Sequence, residues 1–471
     1  MTELNNPVRS QLIEELKKSG FSDKQIVAAD ESRACYGYDA TRQCADPMLV
    51  LLPESGRQVE IALQLAAQKQ LKIFPRGAGS GMSGGAIPTD DGIILSLTRM
   101  KQILEIDQEN MIATVEPGVI TAELQEEVSR LGLFYPPDPA SLTFSTIGGN
   151  VAENAGGPRA VKYGVTADYV MGLEAVLISG EVIKSGNKCI KSVSGYDLTS
   201  LLVGSEGTLA VITKILLKLL PAPEAVKTSL LAFSSMTAAA HAINAMFKNQ
   251  IDPSTIEFLD HHSINAVREG LPFTLPEAAD TVLLVEIDGT SANVLTQSQK
   301  LKELFKDDAL LLIEAQNESE REQLWVARRR LSPAIANIAP DKINEDIAVP
   351  RAAIPTIIDR LEKLSKKVEL PIVCFGHAGD GNIHVNVMLD KSDPDQARRG
   401  HQAIDEIFAI TLELGGTLSG EHGIGNTKSA YFDKEWSPAT IATMRAVKQA
   451  FDPDNHLNPG KIFPQKDNLS S

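Results

Sequence analysis

Residues 1–16 are polar and mixed in charge, and Leu12, Ile13, Leu16 and later Ile26 fall on one apolar stripe, so the stretch 1–45 reads as helical. From Met48 the period changes. Apolar runs at 49–52 and 71–74 flank a helical pattern over 59–68, and further strand-like runs at 93–97, 111–115, 169–178 and 209–220 are separated by glycine-rich loops. Pro221-Ala222-Pro223 marks a boundary, because proline ends strands and stiffens linkers.

Beyond it the elements lengthen and glycines thin out. Strand patterns at 229–233, 254–259, 281–287 and 310–314 alternate with helical patterns at 238–247 and 298–305. Ser319-Glu320-Arg321-Glu322 matches a capping box and opens another helix, on which Trp325, Arg328 and Ser332 share a face. Arg329 and Arg330 point elsewhere, into solvent. From residue 416 the chain returns to glycine-rich loops. The pattern divides the chain into a helical segment (1–45), a loop-rich domain (46–221), an α+β open-sheet domain (222–415) and a closing segment (416–471), with an α+β fold class for the whole.

A length of 471 residues allows two or three domains at ~100–200 residues each. No run approaches the ~18 apolar residues of a membrane span, and the start lacks a basic-then-apolar signal, so a cytoplasmic chain is expected. A net charge of −16 argues against nucleic acid and anionic membrane surfaces as partners. Cys35, Cys44, Cys189 and Cys374 are scattered, which excludes a disulfide framework, a zinc ribbon and a cysteine-bound iron–sulfur cluster, and leaves inert, usually buried thiols. Any electrons handled here need another carrier.

Three loop sets are dense in glycine: residues 75–85; Pro136 to Pro139 with 147–150 and 154–157; and 204–209. Successive amides without side chains in the way can cradle a pyrophosphate. Within the first set, Gly79-x-Gly81-x-x-Gly84 and Gly81-x-Ser83-x-Gly85 imitate a dinucleotide fingerprint and a nucleophile elbow, but both motifs need a helix next, and a strand follows. Three such sets in one domain suit a long ligand the length of an adenine dinucleotide.

Near the C-terminus His377, His384 and His422 sit with Glu421 in glycine-punctuated segments. Residues 383–387 alternate as a strand does, so His384 and Asn386 share one face and Ile383, Val385 and Val387 the other. Packing alone would not ask for imidazole at these places, whereas His241, His261, His262, His401 and His456 read as structural or surface residues. A metal-dependent hydrolase using His377, His384 and Glu421 around a water is one reading of the set.

From residue 75 through Glu206-Gly207-Thr208 to Gly376-His377, Gly420-Glu421-His422-Gly423 and Asn458-Pro459-Gly460-Lys461, the motifs resemble, in order, the FAD-linked 2-hydroxy-acid dehydrogenase group of the vanillyl-alcohol oxidase/p-cresol methylhydroxylase flavoproteins. That group includes the glycolate oxidase FAD subunit, D-lactate dehydrogenase and D-2-hydroxyglutarate dehydrogenase. The resemblance implies a two-part FAD-binding domain completed by the C-terminal segment, and a substrate domain. It implies FAD contacts from Pro75, Arg76, Gly77, Ala78, Gly79, Ser80, Gly81, Ser83 and Gly84. Further contacts come from Pro137, Asp138, Ser141, Ile147, Gly148, Gly149, Asn150, Asn154, Gly156, Gly157, Tyr163 and Gly164, and from Glu206, Gly207, Ile212 and Asn458. No His or Cys lies in 76–85, so the FAD is expected to be non-covalent.

The same resemblance makes His377, His384 and Glu421 ligands of a divalent metal, with zinc expected, and His422 the base. It places Arg328 at the substrate carboxylate, with Asn386, Ser332 and Lys342 as further substrate contacts. The expected reaction takes a D-2-hydroxy acid (D-lactate, glycolate or D-2-hydroxyglutarate) to the 2-oxo acid. Electrons would pass to a separate protein, an iron–sulfur subunit or an electron-transferring flavoprotein, and a homodimer is among the expected assemblies. A non-catalytic flavin subunit of an electron-transfer complex is the alternative that keeps the loops.

Overall fold

The computed structural model describes residues 7–89 and 91–464. The chain divides into two compact units, one of Met1–Ala155, Val165–Ala222 and His422–Ser471, the other of Gly156–Gly164 and Pro223–Glu421. No described helix is long and apolar enough to cross a membrane.

The first unit holds a four-stranded sheet in the order Ile26–Val27, Leu49–Leu51, Ile93–Ser96, Ile73–Arg76, whose last three strands run parallel. Helix Gly56–Gln68 buries Val59, Ala62, Leu63 and Ala66, a spacing of three and four that turns one face to the core, and the Ser55 side chain caps it by accepting from the Gln58 amide. No helix is described between Arg76 and Ile93, in keeping with the rejection of both glycine-motif imitations. A second, wholly antiparallel sheet follows the order Ile103–Asp107, Ile112–Val115, Val211–Lys218, Val170–Val176, Val182–Gly186. The C-terminal segment returns to the first sheet, where the Ile73 amide bonds the His456 carbonyl and the Asn458 amide the Ile73 carbonyl.

Several expectations need correction. Among the described residues of the N-terminal stretch only Pro7–Lys18 and the short Asp30–Ala34 are α-helical, and Ile26 lies in a strand paired with Leu51. Residues 147–150 are the first turn of a helix, Ile147–Glu153, rather than a loop. The closing segment carries a full helix, Pro438–Phe451, capped by Ser437 with proline at its start. Cys35, Cys44 and Cys189 are exposed, and only Cys374 is buried.

The second unit is a seven-stranded antiparallel sheet. Its strands are β1 (Ala225–Phe233), β2 (Thr255–Leu259), β3 (Thr281–Gly289), β4 (Leu311–Glu314), β5 (Asp341–Ala348), β6 (Ile372–His377) and β7 (Asn382–Leu389), in the order β4-β1-β3-β2-β6-β7-β5. Helix Glu318–Ile335 packs Leu324, Ala327 and Leu331 against Val373, Phe375 and Met388. Its cap is Asn317, whose side chain accepts from the Glu320 amide, two residues before the Ser319 expected from sequence.

One buried ion pair anchors that helix. Glu286 on β3 accepts from Thr228 Oγ1 across the β1–β3 register, from Arg321 Nε (2.8 Å) and from Trp325 Nε1 (2.9 Å). Burial pushes the Glu286 pKa up, but Arg321 and the hydrogen bonds reverse this and hold it below its ordinary value. Arg321→Ala leaves the carboxylate buried without its cation, and at neutral pH should cost about 3–5 kcal/mol of unfolding free energy. A depressed folded pKa gives stability that is present above the unfolded value and lost as pH falls through the folded one. The difference between the two proteins should therefore shrink below pH 4.5. Urea unfolding at two pH values checks both expectations.

Candidate active site

In the first unit, strand Ile73–Arg76 feeds the loop from Gly77. The amides of Gly77, Ala78, Gly79, Ser80 and Gly81 are half-buried and donate no hydrogen bond among the described residues. Amides in that position ordinarily find a partner, so a run of five suits an acceptor-rich anion. Ser83 adds a buried hydroxyl without a partner. At Gly79 φ is +72°, a backbone that glycine adopts without strain, and a Cβ would stand 2.1 Å from the Arg76 guanidinium. A Cβ at Gly81 would meet nothing within 4 Å, so no protein atom demands glycine at that point. By contrast, a Cβ at Gly77 or Gly148 would strike Thr146 (2.4 Å) or Pro117 (2.5 Å), so packing explains those two.

Other predicted flavin residues brace this loop system. The Glu206 carboxylate accepts from the amides of Ile424 (2.8 Å) and Gly425 (2.6 Å), and Asn458 Nδ2 donates to the carbonyls of Glu206 (2.7 Å) and Gly85 (3.1 Å). Gly207 lies against Pro75, and Arg76 donates to the Tyr38 carbonyl. The Pro137 carbonyl accepts from Gln125, the Ser141 carbonyl accepts from the Phe144 and Ser145 amides, and Asn150 Nδ2 donates to Thr121. Asn154 ends its helix in the left-handed region, and Ile212 lies on the central Val211–Lys218 strand. Gly156, Gly157, Tyr163 and Gly164 cluster instead with the second unit, where Tyr163 donates to Asp288.

The second unit gathers its chemistry on one sheet face. Register pairs Leu259 with Phe375, Phe375 with His384, and His384 with Asp346, while Glu257 faces His377. Alternation then puts Glu257, His377, His384, Asn386, Asn344 and Asp346 on that same face, with Lys342 further along it. Asp346 is fully buried and holds the turn that carries Glu421. Its Oδ2 accepts from the amides of Gly420 (3.0 Å) and Glu421 (2.9 Å), and its Oδ1 from Asn382 Nδ2 (2.5 Å). His377 Nε2 lies 3.5 Å and His384 Nε2 3.7 Å from the same oxygen, Glu421 Oε1.

Behind each ring stands a carboxylate. His377 Nδ1 bonds Glu257 Oε1 directly, and His384 Nδ1 is 3.8 Å from Asp346 Oδ1. Burial lowers the His377 pKa, but Glu257 and Glu421 outweigh it and carry the value well above the ordinary one. Asp346, His384 and Glu421 each offer an atom within 4.8 Å of the others. His377 stands outside that group, but its Nε2, like that of His384, faces Glu421 Oε1, and the two imidazoles with Glu421 are residues that could hold a divalent cation. His422 is the next residue in the chain.

Arg328 donates from Nε to Glu257 Oε2 (2.5 Å) and lies 4.8 Å over the Phe375 ring. Its two terminal nitrogens donate no hydrogen bond among the described residues, which leaves a guanidinium fork for a carboxylate. Asn386 is fully buried, with Oδ1 taken by Asn344 and Nδ2 directed at the Val373 carbonyl, so the sheet already uses its amide. Trp325 serves Glu286. Arg329 and Arg330 are exposed, and the side chain of Ser332 lies outside the described residues. Sequence reading missed Glu257, Asp346, Asn382 and Phe375. Polar residues at 342, 344 and 346, matching the alternation at 382, 384 and 386, were the available signal.

Residues 222–462 match the family described as FAD linked oxidases, C-terminal domain, and residues 47–186 the FAD binding domain. Glycolate oxidase subunit GlcD of Bacillus subtilis is 42% identical over 98% of this chain and 97% of its own. A D-lactate dehydrogenase of Anaerostipes hadrus is 32% identical over 97% of this chain and 98% of its own, and a D-2-hydroxyglutarate dehydrogenase of Stutzerimonas stutzeri 32% identical over 96% and 98%. The solved p-cresol methylhydroxylase shares the fold, with a TM-score of 0.82 over 99% of each chain at 17% identity.

The two family matches and these relatives together define an FAD-binding oxidoreductase. The chain belongs to the FAD-linked oxidase family.

If the unpaired amides form the pyrophosphate cradle, a branched side chain at Gly81, where a Cβ meets no protein atom, should close it. Gly81→Val should lower the flavin-to-protein absorbance ratio of the purified protein sharply while circular dichroism stays unchanged. Full flavin content in that variant would move the cradle elsewhere.

Proposed function

We propose that this protein oxidises a D-2-hydroxy acid to the 2-oxo acid, with D-lactate, glycolate and D-2-hydroxyglutarate as candidate substrates. The observation that carries the reading is the shared sheet face, where the free guanidinium fork of Arg328 and the His377–His384–Glu421 donor set are joined through one carboxylate, Glu257. A 2-hydroxy acid offers a carboxylate and an adjacent hydroxyl to just such a pair of sites. The names of the relatives agree with this substrate class.

Non-covalently bound FAD supplies the hydride acceptor. A divalent cation held by His377, His384 and Glu421, zinc by its donor set, would polarise the substrate hydroxyl. Arg328 binds the substrate carboxylate as a fork, and Lys342 and Ser332 extend that contact. His422 removes the hydroxyl proton as general base. Electrons leave to a separate acceptor protein, an iron–sulfur subunit or an electron-transferring flavoprotein, consistent with the word "subunit" in the name of the Bacillus relative. The protein works in the cytoplasm, and a homodimer is the assembly to look for.

A panel of D- and L-2-hydroxy acids with an artificial dye acceptor tests the reading. One D or achiral acid should turn over, prolonged chelation should abolish that turnover with FAD retained, and zinc or manganese should restore it. No turnover with any acid would reject the substrate class, and full activity in metal-free protein would reject the cation.

His422→Asn should keep FAD and bound metal, because neither is assigned to this ring. Flavin reduction by substrate in stopped flow should slow by ~10²–10⁴-fold, the usual cost of a lost general base. Reoxidation by the dye should be unchanged. Flavin reduction at the wild-type rate would give the proton another route.

A further inference from the structure

Glu257 is fully buried on β2 and makes two contacts of different kinds. Oε1 bonds His377 Nδ1, and Oε2 accepts from Arg328 Nε at 2.5 Å. Each contact fixes the far side of its partner. A carboxylate can only accept, so Glu257 keeps a proton on His377 Nδ1 and leaves Nε2, on the side 3.5 Å from Glu421, as the nitrogen a cation would take by displacing its proton. Arg328 is held at Nε and over Phe375, so its terminal nitrogens project as a preset fork.

We propose that Glu257 is the positioning residue that sets the spacing between the cation site and the carboxylate site, and so selects substrates whose hydroxyl neighbours the carboxylate. This rests on the function proposed above. The two imidazoles are not equivalent in this respect. His384 stands 3.8 Å from Asp346, beyond direct hydrogen-bond range, and Asp346 is committed to the Glu421 turn. Only His377 is tied to the substrate-recognising arginine.

Glu257→Gln keeps size and shape but cannot serve both partners. The amide oxygen can accept from Arg328 Nε, and the NH2 then faces His377 Nδ1. That nitrogen must become the acceptor, and the ring proton moves to Nε2, where it blocks cation binding. Alternatively the oxygen serves His377, and Arg328 loses its anchor.

The test uses the FAD-loaded protein, with zinc affinity measured by calorimetry and KM separated from kcat in the dye assay. Glu257→Gln should retain FAD and show, according to which contact the amide oxygen keeps, a loss of roughly 10–100-fold in zinc affinity or a KM raised by roughly 10-fold or more. Glu257→Asp, one methylene shorter, should keep one contact and show one of the two defects. Wild-type zinc affinity and KM in the Gln variant, or a defect in only one of them across both variants, would overturn the bridging role and leave the proposed function standing. Should the Gln variant not fold, the Asp variant decides, and wild-type values for both quantities in it would overturn the proposal. A wild-type protein that binds no zinc would remove this inference together with the cation reading.

Discussion

An ionised carboxylate in a protein interior is unfavourable unless cations or hydrogen bonds surround it. Glu257 meets that condition only because the β2–β6 register sets His377 opposite it and helix Glu318–Ile335 lays Arg328 across it. The remaining contacts of the second unit follow from the same alignment. With Glu257 opposite His377, Phe375 falls opposite His384 and His384 opposite Asp346, which in turn grips the turn bearing Glu421. A slip of one residue in any of these pairings would send the whole set to the opposite face.

The distribution of what could be read from sequence has a physical reason. Periodicity is local, so the alternation at 383–387 and helices such as Gly56–Gln68 were visible. Glu257 stood as one acidic residue in an apolar run, and its partners lie 120 and 71 residues away. Nothing in a single sequence announces a pairing across that distance. Asp346 carried a local signal in the polar alternation at 342, 344 and 346, but its grip on the Glu421 turn was hidden for the same reason. Asn317 and the Pro438–Phe451 helix were different cases, because their capping signals are local and were overlooked.

Glycine-rich loops also divide on inspection. Gly77 and Gly148 are explained by Thr146 and Pro117, without any ligand. The run of amides between Gly77 and Gly81 is the feature left without a partner among the described residues. Glycine content marked a region, while hydrogen-bond accounting separates the part of it that packing explains from the part that it does not.

The first unit's core takes Leu12, Leu16 and Ile26 from one end of the chain, Ile73 from the middle, and Leu457 from near the other end. Chains emerge from the ribosome in order, so the sheet edge at Ile73 must wait through some 380 residues for its last partner. The second unit is nearly continuous and has all its residues by Glu421. On a translating ribosome it can close first, as domains generally fold as units. The flavin-binding unit is then the late folder, its apolar sheet exposed longest, and a chaperone attending synthesis would find its client there.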